Sequence, residues 1–210
     1  MLIDFKKIIN GDSPHLIVFL IDSSSSMKKW EKKLIAELNN LKIFFKSFES
    51  VILLLRADFS GSYFEREIAK VDDFDTRFIA KGKSIFYYAL CRIRESLLFP
   101  EDGYIHKLNS MGYNIETTLF VISDGYDEGS EGSGYCFDEA KEAINDLNNN
   151  NVDTHILLFG NDSPKAGNEL CFKNVYCFED NTIGLKNMFS RIKQCSQSKI
   201  TGENNWFNNI

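Results

Sequence analysis

Carboxyl and hydroxyl side chains cluster where an apolar run near the start of the chain ends. The run "HLIVFLID" (15–22) closes on Asp22, and four serines follow it at positions 23 to 26. Because successive side chains alternate along extended backbone, Asp22, Ser24 and Ser26 can point to the same side. This pattern indicates a polar site at the end of a buried strand.

Two later segments carry the same kinds of side chain. "KGKS" places Ser84 at the predicted start of a helix, and "TTLFVIS" (117–123) is followed by Asp124 and Gly125. Loops that follow parallel strands meet at one edge of the sheet, so these groups should converge with those of the first strand. Two carboxylates and three hydroxyls make an all-oxygen site, which hard divalent cations bind with waters in the remaining positions. We therefore predict a cation site formed by Asp22, Ser24, Ser26, Ser84 and Asp124.

The expected cation is Mg²⁺, because the ligand set is small and rich in hydroxyls. Mn²⁺ and Ca²⁺ also accept oxygen ligands. The carboxylates of Asp22 and Asp124 can bind the ion directly or hold its waters. Hydroxyl ligands leave the charge of the ion largely uncompensated, so a carboxylate from elsewhere can complete its coordination shell.

Each segment also has a simpler explanation. Ser25 or Ser26 could cap the helix that follows, and Ser84 could cap the next one. Asp124 with Gly125 is also an ordinary turn signal. Taken singly these explanations suffice, whereas the convergence of all three segments at one sheet edge favours the cation site.

The elements that would position these groups alternate between strand and helix. Near-continuous apolar runs predict strands at 15–22, 51–57, 117–123, 153–160 and 174–178. Apolar residues spaced three and four apart predict helices at 27–48, 84–98, 137–149, 164–171 and 185–195. The weakly alternating segment 62–71 predicts a short antiparallel edge strand. The pattern is typical of a doubly wound α/β fold, with a mostly parallel sheet and helices on both faces.

Length and composition fit one globular domain. The chain has 210 residues, of which 43% are hydrophobic, and a formal net charge of −6. That charge argues against a nucleic-acid or anionic-membrane surface, and no apolar run approaches the length of a membrane span. The first residues lack the apolar core of an export signal, so a cytoplasmic location is expected. We expect a domain over 12–196 and a weakly ordered tail over 197–210, in which Trp206 and Phe207 either dock or fold back onto the surface.

The cysteines and histidines form no recognisable metal or disulfide pattern. The number of cysteines is odd, no pair has C-x-x-C spacing, and most stand among apolar residues. We expect buried free thiols in a reducing compartment at Cys91, Cys136, Cys171, Cys177 and Cys195. The three histidines are far apart in sequence, and we expect structural or surface roles for His15, His106 and His155.

Catalytic motifs are incomplete. "GKS" (82–84) invites a phosphate-binding loop, but Arg77 stands where that motif needs its first glycine. A haloacid-dehalogenase-type phosphatase also has an aspartate at the end of its first strand and binds Mg²⁺. Its second acid falls here on Ser24, which cannot transfer that proton at neutral pH. A serine hydrolase would need a G-x-S-x-G elbow and an assignable histidine. A Mg²⁺-dependent phosphohydrolase stays as the alternative to a non-enzymatic role.

Two acidic stretches allow more than one interpretation. Asp72, Asp73 and Asp75 suggest either a second cation site or a solvated edge beside Arg77, and we expect the solvated edge. The glycine-rich loop 125–134 is expected to be flexible. Its acids could gate the cation site or supply a carboxylate to it, but we expect a solubilising role for Asp127, Glu128 and Glu131.

The three polar segments together resemble a known site. D-x-S-x-S after the first strand, a later Gly-x-Thr/Ser and a strand ending in Ser/Thr-Asp-Gly make up the metal-ion-dependent adhesion site of von Willebrand factor type A domains. This chain supplies all five ligand positions, and the resemblance covers roughly residues 12–196. Two glycines of the family pattern are replaced, one by Ser25 and one by Lys83. Lys83 brings a positive charge near the ion unless it points outward.

The resemblance implies a non-enzymatic protein-interaction module. In such a domain the cation binds an acidic residue of a partner protein, and ligation is coupled to movement of the last helices. The partner would approach the loops around Ser24, Lys83 and Tyr126. Compact bacterial versions of this kind are similar to TerY-type proteins, which implies a scaffold or adaptor role in a tellurium-resistance-type stress response or in defence.

Overall fold

The apolar runs of the sequence form the centre of one twisted sheet. The computed structural model of the chain describes residues 14–160 and 164–202. Within them, parallel strands lie in the order β2-β1-β5-β6-β7, and two short strands, β3 and β4, pair antiparallel with β2. The strands are β1 His15–Asp22, β2 Ile52–Phe59, β3 Tyr63–Glu65, β4 Ala69–Lys70, β5 Glu116–Ser123, β6 Asp153–Phe159 and β7 Asn174–Phe178.

Helices cover both faces of this sheet. The α-helices are α1 Glu31–Phe45, α2 Phe86–Leu98, α3 Tyr104–Ser110, α4 Phe137–Asn149, α5 Pro164–Glu169 and α6 Thr182–Thr201. Short 3₁₀ turns span Ser25–Trp30, Val71–Asp73 and Ser130–Ser133. One core packs α2, α3 and α4 against the sheet, and a second core packs α1 and α6 against the other face. Because each central strand is buried on both faces, its side chains are apolar without alternation.

The predicted doubly wound α/β fold is therefore confirmed, with differences at its margins. The antiparallel edge consists of two short strands instead of one. The predicted helix 27–48 divides into the 3₁₀ turn Ser25–Trp30 and α1. Helix α3 was not predicted, because it is only seven residues long and buries one side chain, that of Leu108.

The last helix extends beyond the predicted domain end at residue 196. It continues to Thr201 because Ile192, Ser196 and Ile200, spaced by one helical turn, all face the core. Because Ser196 is polar, the spacing of apolar residues alone did not predict that the helix continues past residue 195. The rest of the predicted tail, 203–210, lies outside the described residues.

The expected burial of the thiols is wrong for most of them. Cys91 is buried, as expected, whereas Cys136 and Cys177 are exposed and Cys171 and Cys195 are half-buried. Cys177 lies in β7, the outermost parallel strand. This strand has a neighbouring strand on one side only, whereas each central strand has one on both sides. An apolar sequence context at a sheet edge therefore does not ensure burial.

Among residues 14–160 and 164–202, no helix combines the length and the apolar character needed to cross a lipid bilayer.

Candidate metal centre

The carboxylate of Asp22 is the centre of the polar cluster at the carboxyl ends of β1 and β5. Its side chain is fully buried, with 0% exposure. Oδ1 accepts the backbone N–H of Ser24 at 2.8 Å. Oδ2 accepts the hydroxyl of Ser84 at 3.2 Å and that of Ser123 at 3.0 Å. The Oγ atoms of Ser24 and Ser26 lie 2.9 Å apart. Three of the four other predicted residues thus join Asp22 directly or through one hydroxyl.

Backbone hydrogen bonds connect the loop after β1 to the segment that carries Ser84. The N–H of Lys81 donates to the carbonyl of Ser23 at 2.7 Å, and the N–H of Ser25 donates to that of Gly82 at 2.9 Å. Gly82 has φ +80°, and a Cβ there would lie 3.1 Å from the backbone nitrogen of Gly61. Only glycine adopts this left-handed conformation without strain.

The two departures from the family pattern are accommodated. Ser25 replaces a glycine, and it is exposed and has a negative φ, so no strain follows. Lys83 replaces the other glycine, and its side chain is also exposed to solvent. An exposed ammonium group interacts only weakly with a buried carboxylate, because water screens its charge.

Helix capping does not explain the serines. Ser24 precedes the 3₁₀ turn but makes no capping hydrogen bond through its side chain, and the cap position of α1 is Trp30. The cap position of α2 is Ile85, so Ser84 does not cap it. The capping explanations for Ser25, Ser26 and Ser84 are therefore wrong.

The amino end of α2 is capped instead by the loop that follows Asp124. Oδ1 of Asp127 accepts the N–H of Tyr87 at 3.1 Å, and Oγ of Ser130 accepts that of Tyr88 at 3.0 Å. Asp127 also accepts both the hydroxyl and the N–H of Ser130. Asp127 is thus a structural group and not only a solubilising one, while Glu128 and Glu131 are exposed as expected.

Asp124 completes the predicted set at the end of β5. It is half-buried, and its Oδ1 accepts the N–H of Tyr126 at 3.3 Å. Gly125 follows in the left-handed region with φ +82°, and its N–H donates to Oγ of Ser123 at 2.9 Å. The negative charge of Asp124 raises the pKa of Asp22. Ser123 was missed as a member of the cluster, although it occupies the first position of the Ser-Asp-Gly motif.

The electrostatics of the cluster favour a cation. Burial raises the pKa of Asp22 to about 6, against the hydrogen bonds from Ser24 and Ser123, and the charge of Asp124 raises it further. Among the described residues, neither carboxylate forms an ion pair. The same residues hold no group of three or more His, Cys, Asp or Glu side chains placed to bind a metal. The donors are thus two carboxylates and several hydroxyls, a set that fits a hard divalent cation.

Two of the three acids in the stretch from Asp72 to Asp75 form ion pairs. Asp72 pairs with Lys46 at 2.5 Å. Asp75 accepts Nη1 of Arg66 at 2.7 Å and Nη2 of Arg77 at 2.8 Å. These contacts neutralise Asp72 and Asp75, in accordance with the expected edge beside Arg77 and not with a second cation site.

A buried arginine behind this edge was not foreseen. Arg56, in the middle of β2, is 1% exposed. Its Nε donates to Asp58 at 2.8 Å, and its Nη1 donates to the carbonyl of Asp75 at 2.8 Å. The sequence signal, "LLLRADF", places a cation and an acid on the same face of a strand at i and i+2.

Comparisons with known proteins agree on the fold. No family model and no curated protein sequence matches the chain. A von Willebrand factor type A structure from Catenulispora acidiphila superposes with a TM-score of 0.61 at 14% identity, over 90% of this chain and 43% of that one. The pilus adhesin SpaC from Lactobacillus rhamnosus GG, in an open conformation, gives 0.62 at 11% identity, over 91% of this chain and 30% of that one. Manganese-loaded TRAP protein from Plasmodium vivax gives 0.51 at 16% identity, over 81% and 70%.

These similarities define the chain as a protein with the von Willebrand factor type A fold. The sequence identities are too low to carry more than the fold. The chain also spans less than half the length of the first two structures.

Proposed function

We propose that the chain is a non-enzymatic protein-interaction module that binds a divalent cation, preferably Mg²⁺, and through it an acidic side chain of a partner protein. The proposed ligands, direct or through water, are Asp22, Ser24, Ser26, Ser84 and Asp124. The observation that carries the proposal is the buried carboxylate of Asp22, which has hydroxyl neighbours and a second carboxylate nearby but no cationic partner among the described residues. A bound cation would stabilise this arrangement, because it would offset the cost of burying the charge.

The surface around the cluster supports access by a partner. Ser26 and Lys83 are exposed, and Tyr126 is 58% exposed. A carboxylate arriving from outside could reach an ion held by Ser24 and Ser26 and complete its shell. Lys83 would add attraction for an acidic partner, since it is exposed beside the Ser84 position.

The wider role is also a proposal. We infer a scaffold or adaptor in the bacterial cytoplasm, in a stress-response system of the tellurium-resistance type or in a defence system. The five ligand positions resemble those of type A domains in general. The narrower support for this role is the similarity of a compact single domain of this kind to bacterial TerY-type proteins. Ligation would be coupled to movement of the last helices, here α5 and α6.

The experiment is affinity capture by the immobilised chain with Mg²⁺ or with EDTA, followed by binding measurements on the captured protein. We expect Mg²⁺-dependent binding, loss with Asp22→Ala, and normal binding with the exposed control Ser25→Ala. The interacting acid of the partner should be found by replacing its exposed Asp and Glu residues with Asn and Gln. Binding that survives both EDTA and Asp22→Ala would refute the mechanism.

The proposal also holds that the chain is not an enzyme. We expect no Mg²⁺-dependent turnover of aryl phosphates. Turnover that disappears in Asp22→Asn would contradict this and favour a phosphohydrolase.

A further inference from the structure

A polar cavity lies at the amino ends of the parallel strands, whereas the candidate metal centre lies at their carboxyl ends. It has a volume of about 540 Å³ and opens between the amino ends of β6 and β7 and the second half of α6. Its lining combines a thiol, an imidazole, a phenol and two basic side chains, contributed by Cys195, His155, Tyr176, Arg191 and Lys199. None of these groups is used by the proposed cation site.

His155 is the buried polar group of this cavity. It is 4% exposed, and neither of its ring nitrogens has a hydrogen-bond partner of good geometry among the described residues. Oδ2 of Asp153 lies 3.1 Å from Nε2, at ion-pair distance. The ring stacks on that of Tyr176, with centroids 6.0 Å apart and planes 14° from parallel. A buried imidazole held in this way can keep a proton beside the thiol.

Cys195 lies on α6 next to these groups. Its Sγ is 3.8 Å from Oη of Tyr176. Burial opposes ionisation of the thiol, but contacts with His155 and Tyr176 and the charge of Arg191 outweigh it, so the pKa of Cys195 lies below its ordinary value. Burial likewise opposes the charged form of His155, yet Asp153 and Cys195 raise its pKa. Both shifts favour a thiolate beside an imidazolium, the form in which cysteine is a nucleophile.

We propose that Cys195 is a reactive thiol that forms a mixed disulfide in this cavity with small disulfides carrying carboxylate groups. Arg191 is exposed, lies over the ring of Tyr176 at 5.1 Å from its centroid, and has no ion-pair partner among the described residues. It is therefore available to a carboxylate. Lys199 is already paired with Asp153 at 3.2 Å.

The reaction is a thiol–disulfide exchange. The thiolate of Cys195 attacks one sulfur of the small disulfide, a new S–S bond forms, and the original S–S bond breaks. The sulfur of Cys195 is oxidised, while the departing sulfur takes the electron pair and leaves as a reduced thiolate. The proton of the original thiol stays on His155 and passes to that thiolate or to water.

The test uses the reduced full-length chain and dithiobis(nitrobenzoate), a disulfide with two carboxylates, at pH 7. Acid-quenched samples are mapped by peptide mass spectrometry. We expect Cys195 to react at least about tenfold faster than Cys177, although Cys177 is more exposed, because burial raises the pKa of Cys177. The control Cys177→Ser should leave the fast phase unchanged. Faster labelling of Cys177 would overturn the proposal.

The role of the neighbours is tested separately. Arg191→Gln removes a charge that lowers the pKa of Cys195, so it should slow both reagents. It should slow dithiobis(nitrobenzoate) about threefold or more beyond the uncharged dipyridyl disulfide, because only the former presents carboxylates to Arg191. His155→Gln should slow both reagents about tenfold. If that variant does not fold, the pH profile of the unmodified chain decides. Between pH 7 and 8 the rate at Cys195 should rise by a clearly smaller factor than the rate at Cys177, which should rise about tenfold. A tenfold rise at both would refute the assignment.

Discussion

At the scale of single residues, the four serines after β1 differ in what their side chains contact. Ser24 is buried, and its hydroxyl meets that of Ser26. Ser23 donates its hydroxyl to the carbonyl of Phe59 at 3.0 Å, away from the cluster. Ser25 is exposed. The alternation inferred from the sequence therefore has a physical counterpart, in which only every second hydroxyl belongs to the cluster.

This division leads to a prediction for metal affinity. Ser24→Ala and Ser26→Ala should each weaken Mg²⁺ binding by about tenfold or more, because each removes a proposed ligand. Ser25→Ala should leave the affinity unchanged. Ser23→Ala should also leave it unchanged, while lowering the free energy of unfolding by about 1 kcal/mol through loss of a buried hydrogen bond. Calorimetric titration and urea denaturation measure the two quantities. Equal loss of affinity in all four variants would contradict the division.

The charged carboxylate of Asp22 should lower the stability of the metal-free protein, although it is needed to bind the metal. Its folded-state pKa, raised to about 6 from 3.8, means that the protonated form contributes stability at low pH and that this stability is lost as the pH rises through 6. Without metal at pH 7.5 the charged form costs the fold about 3 kcal/mol. Asp22→Asn should therefore raise the free energy of unfolding in EDTA at pH 7.5 and have little effect near pH 4.

Magnesium should reverse the order of stability of the parent chain and Asp22→Asn. The parent chain gains stability when the ion binds, by mass action, and Asp22→Asn does not. Urea titrations at both pH values, with and without Mg²⁺, give all the required comparisons. An Asn variant that is less stable than the parent in EDTA at pH 7.5 would show that the buried charge is not a cost.

At the scale of elements, the loop after β5 and the start of α2 depend on each other. Asp127 and Ser130 accept two of the first N–H groups of α2, which would otherwise lack partners. The N–H of Glu128 donates to the carbonyl of Ser84 at 3.0 Å. The loop therefore holds the backbone of Ser84, one of the proposed ligands, whose hydroxyl donates to Asp22.

Removing the cap of α2 should lower the stability of the fold more than it lowers the affinity for Mg²⁺. Asp127→Ala is expected to lower the free energy of unfolding by about 1–2 kcal/mol, the usual value of a lost helix cap. Mg²⁺ affinity should change less than about threefold, since Asp127 is engaged with α2 and Ser130. Glu128→Ala removes a neighbouring exposed charge and should change neither quantity. If Asp127→Ala instead abolished Mg²⁺ binding at unchanged stability, Asp127 would be a ligand.

The elements also show what could be predicted from the sequence. The continuous apolar runs located the central strands, and the polar residues at their ends marked one sheet edge, because both signals are local. The roles of Ser123, Asp127 and Arg56 were not predicted, because they depend on partners 19 to 101 positions away or on burial set by the sheet order. For Ser123 the partner, Asp22, is 101 residues distant. Local patterns do not contain such pairings.

At the scale of the whole molecule, a charged network joins the edge of the sheet to the segment that leads to Ser84. Arg56 on β2 contacts Asp58 and the backbone of Asp75, and Arg66 bridges the carboxylates of Asp58 and Asp75. The chain then continues through the buried residues Phe78 and Ala80 to the cluster. The network thus fixes a long segment that has little regular structure of its own between residues 71 and 85.

This arrangement predicts acid sensitivity that depends on Asp75. Hydrogen bonds to Arg77 lower the pKa of Asp75 against a smaller effect of burial, and the charge of Arg66 lowers it further. A depressed folded-state pKa means that the carboxylate contributes stability above its unfolded-state pKa near 4, and that this contribution is lost as the pH falls below it. Asp75→Asn should lower the free energy of unfolding at pH 7 by about 1 kcal/mol, a modest value because solvent screens part of the network.

The difference between Asp75→Asn and the parent should shrink as the pH falls from 4 towards 2, because the parent carboxylate then becomes neutral as well. Asp73→Asn is the matched control, since it removes the same charge from an exposed residue two positions away and should have little effect at any pH. Urea denaturation of the three proteins from pH 2 to 7 measures these differences. A gap between Asp75→Asn and the parent that stayed constant over this range would mean that Asp75 acts through its shape and hydrogen bonds and not through its charge, and the network would then not be the source of the acid sensitivity.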